Sequence, residues 1–76
     1  MAKKYISEPK AIELLAKNVR KHRKRSGMSQ LTLAQLIGVT YSQIARIELA
    51  EQNTSVSMIY LIAKALEIKP SELLEE

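Results

Sequence analysis

Apolar positions recur at helical spacing in short runs, and each run is closed by residues that helices avoid. Ile12, Leu15, Ala16 and Val19 fall on one face of a helix. Its start is predicted near residues 7–9, because Pro9 suits a first turn, and its stop at Gly27. The basic run at residues 20–25 fills its last turns, where cations complement the helix dipole. A second, short helix is capped by Ser29, turns Leu33, Leu36 and Ile37 to one side, and ends at Gly38. A third has Thr40 as N-cap and Gln43 three residues later, the spacing of a capping box. Its inner face carries Ile44, Ile47 and the aliphatic part of Glu48. Its outer face carries Ser42, Ala45, Arg46 and Leu49, with Tyr41 at the entrance. A fourth helix runs from a Ser55 cap to about Leu66, with Val56, Ile59, Ile62, Ala63 and Leu66 inward. Pro70 opens a last short turn whose Leu73 and Leu74 are expected to close the core. No segment alternates for long at the strand period, so the expected fold class is all-α.

Composition adds limits. A chain of 76 residues makes one domain, and apolar residues at 46%, with ten Leu, eight Ile and eight Ala, suffice for one small core. There is no Cys and no Asp, and His22 is the single histidine. Disulfides, Cys-ligated metals, Ser-His-Asp triads and multi-histidine sites are thereby excluded, and neither a cofactor nor a metal is expected. No general acid/base pair stands out, which argues against an enzyme. No apolar run reaches membrane-spanning length and the N-terminus has no signal-peptide core, so a cytoplasmic protein without membrane association is expected.

Charge changes the picture more. Residues 1–25 carry nine Lys/Arg against two Glu, while residues 26–76 carry three against six. A basic load polarised into one third of the chain suggests a polyanionic partner, although a solvated helix face explains it equally well. Residues 1–8 read as a flexible basic arm and residues 9–76 as the domain.

Two short helices joined by a Gly-containing turn suggest a helix-turn-helix corner. Ala34 is small, where one helix must pass close to the next, and Gly38 permits a positive φ at the corner. Arg23, Gly27, Ser29-Gln30, Leu33-Ala34, Gly38-Val39, Ile44, Ile47-Glu48 and residues 63–66 all fall in register. Together they closely resemble the lambda repressor-like (XRE or Cro/repressor type) helix-turn-helix family, over roughly residues 12–74. The resemblance implies a compact five-helix fold and DNA-binding regulators, mostly of bacteria and their phages.

The same resemblance implies roles for residues. The third helix, about residues 40–49, becomes the major-groove reader. Thr40, Tyr41, Ser42, Ala45 and Arg46 then occupy base-contacting places. Arg46 is the most informative, because a guanidinium can contact the O6 and N7 of guanine together. Arg23, Gln30, Gln43, Asn53 and Thr54 occupy phosphate-contacting places. Arg23 and Glu48 are expected to pair between the first and third helices, and His22 to pack where relatives have an aliphatic residue. Leu49-Ala50 departs from the common Asn-Gly, so the third helix is expected to end differently or run on. The loop at residues 51–54 lacks the Lys/Arg many relatives aim at DNA.

The function expected is a sequence-specific transcriptional regulator that binds a palindromic operator as a homodimer and lies on the nucleoid when bound. Controller proteins of restriction–modification systems, small phage repressors and some antitoxins are stand-alone modules of this kind. The partners implied are double-stranded DNA and a second copy, with Tyr60, Leu61, Leu73 and Leu74 as candidate dimer contacts; a toxin or polymerase is a further candidate protein partner. The alternative kept open is an antitoxin or other protein-interaction module that uses the same fold to bind a partner protein.

Overall fold

The computed structural model describes residues 7–76. Lys3, Lys4 and most of the arm expected at residues 1–8 lie outside these. The described residues form helices α1 (Pro9–Arg25), α2 (Gln30–Ile37), α3 (Tyr41–Glu48) and α4 (Val56–Leu66), followed by a 3₁₀ turn, Pro70–Leu74. Four α-helices and a 3₁₀ turn thus replace the five helices expected. Five residues opened by proline, and followed by extended Glu75, are too few to propagate an α-helix, and the tighter turn serves such short pieces.

Each helix starts at a polar side chain that accepts from an otherwise orphaned backbone N–H. Glu8 accepts from Lys10 N, Ser29 from Thr32 N, Thr40 from Gln43 N and Ser55 from Met58 N. Gln43 Oε1 returns the bond to Thr40 N at 3.0 Å and closes the capping box.

Helix ends are equally defined. Gly38, at φ +78°, turns the chain between α2 and α3. Ala50 adopts the same left-handed conformation, at φ +60°, just after α3. Ala50 N donates to Ile47 O at 3.1 Å and Glu51 N to Arg46 O at 2.9 Å, the paired bonds of a Schellman motif. So α3 ends on an alanine that bears the strain of a left-handed residue.

The core gathers Leu15, Val19, Leu33, Ala34, Ile44, Ile47, Ile62, Ala63, Leu66 and Leu73. Helix α1 packs against α3, α4 and the 3₁₀ turn; α2 packs against α3 and α4. Ile37 and Ile59 pack against it half-buried, and three residues expected to face it are exposed instead. Leu36 is exposed because Leu33, Ala34 and Ile37 supply the inner stripe of this two-turn helix. Val56 is 83% exposed, since the first residue of α4 precedes the turn that meets the core. Leu74 is exposed because three residues per turn set it aside from wholly buried Leu73. No helix among the described residues is long and apolar enough to cross a membrane.

A buried polar residue not foreseen from the sequence ties the chain's end to α1. Asn18 is wholly buried, and its Nδ2 donates to Leu73 O at 3.1 Å and Glu75 O at 2.8 Å. Asn18→Ala strands both carbonyls and is expected to cost about 1–3 kcal/mol, read from chemical denaturation. Ala50→Gly relieves a left-handed alanine and is expected to gain up to about 1 kcal/mol, a rise of a few degrees in Tm by calorimetry.

Candidate nucleic-acid interface

The outer face of α3 is a mixed surface on a fixed helix. Thr40, Tyr41, Ser42, Arg46 and Leu49 are exposed, and Ala45 is half-buried. Tyr41 and Leu49 present large apolar areas there. The capping box uses the Thr40 hydroxyl and the Gln43 carbonyl oxygen, which leaves the Gln43 amide nitrogen free to donate outward. Beyond α3 the loop brings Asn53, exposed, and Thr54, half-buried, to the start of α4. Glu51 is exposed in the same loop.

Behind this face lies Glu48, only 2% exposed although it carries a carboxylate. Such burial is tolerated only when the charge is paired and its lone pairs are satisfied. Arg23, from α1, does so with two parallel bonds: Nε to Oε2 at 2.6 Å and Nη2 to Oε1 at 3.0 Å. Its Nη1 reaches Met28 O at 2.9 Å, so the guanidinium also spans the link from α1 to α2. Gln30 Nε2, from the first residue of α2, donates to Glu48 Oε1 at 2.9 Å. Arg20 Nη1 donates to the main-chain carbonyl of Glu48. One residue of α3 therefore gathers contacts from both preceding helices.

The hydrogen bond to Glu48 raises the Arg23 pKa above its ordinary value; the coulombic attraction of Glu48 adds to this and burial opposes it. For a raised base, the stability gained is present below the unfolded pKa and lost as pH rises through the folded one. Arg23 therefore stays charged throughout the neutral range and introduces no pH dependence there.

The residues expected at phosphates are arranged unevenly. Arg23 and Gln30 sit together at Glu48, and each spends side-chain donors on protein acceptors. Gln30 keeps one side-chain N–H, and its backbone N–H belongs to a helix first turn, where the dipole favours an anion. Gln43 stands on α3, and Asn53 and Thr54 lie in the loop between α3 and α4. Sequence reasoning missed Arg20, which read as part of the basic run at the end of α1; nothing local to α1 signals a bond to a residue 28 positions away. Lys10 and Lys17 stay exposed and meet Glu76 at the surface, each at 3.5 Å. His22 is buried on α1.

The chain and its fold have known counterparts. The helix-turn-helix family profile matches residues 19–73. The control protein C.SmaI of Serratia marcescens is 37% identical over 62 residues, which cover 82% of this chain and 74% of that protein. The chain spans about half the length, 49%, of the uncharacterized HTH-type transcriptional regulator y4wC of Sinorhizobium fredii, to which it is 31% identical over 91% of its own length. Among solved structures, the restriction-modification controller protein C.AhdI of Aeromonas hydrophila superposes with a TM-score of 0.78 at 35% identity, covering 82% of this chain and 94% of that one. The controller protein C.Esp1396I, solved as a tetramer with its natural 35 base-pair operator, superposes with a TM-score of 0.74 at 25% identity, covering 86% and 96%.

Removing either member of the buried pair, by Arg23→Ala or Glu48→Ala, is expected to cost about 3–5 kcal/mol in urea denaturation. The double variant Arg23→Met with Glu48→Leu, which leaves no charge behind, is expected to recover much of that loss.

Proposed function

This chain belongs to the helix-turn-helix family of DNA-binding transcriptional regulators and is controller-like, and from that premise we infer that it reads a palindromic operator as a homodimer. The observation that carries the reading is the α3 face, which exposes Tyr41, Ser42 and Arg46 while its buried Glu48 locks it to α1 and α2. A reading helix must be rigid, because a base contact is a matter of tenths of an ångström.

In this reading Arg46 contacts a guanine through O6 and N7, and Thr40, Tyr41, Ser42 and Ala45 touch neighbouring base edges and thymine methyls. Phosphates are held by the Gln30 first turn, the Gln43 amide, Asn53, Thr54 and the outer nitrogens of Arg23. These contacts fix register, and α3 supplies the sequence.

Two copies place their α3 helices in successive major grooves, about 34–36 Å apart. The α4 face, with Val56, Tyr60 and Leu61 exposed, supplies apolar surface for the second copy. Leu73, a candidate for that contact on sequence, is wholly buried and serves the core instead. The operator complex of C.Esp1396I and the similarity to C.SmaI and C.AhdI support a controller-type role. Occupancy of the operator then blocks or recruits polymerase.

Selection from a random duplex library is expected to enrich a palindrome with half-sites about one helical turn apart. Arg46→Ala is expected to relax preference at one base pair per half-site, at about 1–3 kcal/mol, measured by repeating the selection. Equal weakening on every sequence would remove Arg46 from base readout. Absence of enrichment, with a co-purifying protein, would favour the protein-interaction alternative.

A further inference from the structure

We propose that Arg20 is a positioning residue for sequence readout: reaching from α1 to the Glu48 main-chain carbonyl, it clamps the C-terminal end of the reading helix. The proposal rests on the DNA reading above and concerns what holds α3 in place.

Carbonyls in the last turn of a helix have no helical partner and need one from elsewhere. In α3, Ala45 O accepts from Leu49 N at 3.1 Å, Arg46 O from Glu51 N at 2.9 Å and Ile47 O from Ala50 N at 3.1 Å. Glu48 O is the carbonyl that this turn leaves over, and Arg20 Nη1 donates to it. A cation at this end also faces the negative pole of the helix.

Arg20 and Arg23 lie three residues apart on α1, so their side chains neighbour each other. Both meet Glu48, but at different atoms. Arg23 binds the side chain and so limits rotation of α3 about its axis. Arg20 binds the main chain and so fixes where the helix stops. The opposite end is closed on itself by the Thr40–Gln43 box, which keeps the first turn from fraying. An eight-residue helix tied at Glu48 to both preceding helices moves as one body with its support. Arg46, two residues before Glu48, stands in the turn that Arg20 secures.

Arg20 is exposed enough that a phosphate contact is the competing role, and the two roles separate cleanly. A phosphate contact strengthens binding to every sequence and steepens the salt dependence by about 0.9 in slope. A positioning contact acts on preference and leaves non-specific binding alone.

The test compares the full chain with its Arg20→Ala and Arg20→Lys variants. Amide hydrogen exchange without DNA reads the clamp itself. Affinities for the selected duplex and for a scrambled one, across a salt series, read its consequence. Arg20→Ala is expected to speed exchange at Leu49, Ala50 and Glu51 while α4 keeps its protection. It is expected to weaken the selected duplex roughly tenfold, with scrambled-duplex affinity and salt slope unchanged. Arg20→Lys, which keeps a charge and a donor, is expected to fall between the two. Unchanged exchange at the end of α3 would overturn the clamp. Equal losses on both duplexes, with a shallower salt slope, would overturn positioning in favour of a phosphate contact. If the wild-type chain preferred no sequence, the DNA reading would fall, and the exchange result would still judge the clamp.

Discussion

The buried carboxylate of Glu48, at the end of α3, is the constraint around which the rest is arranged. Glu48 cannot remain ionised in the interior without partners, since the effective penalty is several kcal/mol per ion. Its side-chain partners come from other elements. α1 therefore brings Arg23 and α2 brings Gln30, and the three helices meet at one side chain. Apolar packing of Ile44 and Ile47 is non-directional and would accept small rotations of α3. The two parallel bonds from Arg23 would not, because planar groups must stay coplanar to keep both.

The basic residues of α1 divide between this support and the surface. Arg23 is drawn inward to the Glu48 carboxylate, and Arg20 bonds to the Glu48 main chain while staying exposed. Lys10, Lys17, Lys21, Lys24 and Arg25 are exposed, the first two beside Glu76. The polarised charge seen along the chain is thus partly an internal support for α3 and only partly a field available to a polyanion.

Local signals were legible in the sequence. Ser29, Thr40 with Gln43, and Ser55 cap the helices where their spacing placed them, because a cap needs only neighbours within three residues. Positions whose fate depends on what lies opposite were less so. Val56 and Leu74 follow the apolar rule yet sit beyond the reach of the core, and Leu36 lies beside the stripe that α2 buries. Asn18 and Arg20 carry long-range bonds that no periodicity announces. The family register placed Arg23 opposite Glu48, and the structure adds that Gln30 joins them, which turns toward the interior a side chain read from sequence as a phosphate ligand.

The helix-turn-helix is then a rigid corner with α3 fixed from behind, and the proposed DNA reading becomes a question of what α3 meets. A crystal structure of the chain on the duplex it selects decides this most directly. The expected result has α3 of each of two copies in a major groove, with Arg46 within about 3 Å of guanine O6 and N7 and the Glu48 cluster intact behind it. A complex in which another face lies against the duplex, with α3 turned away from the bases, would contradict it.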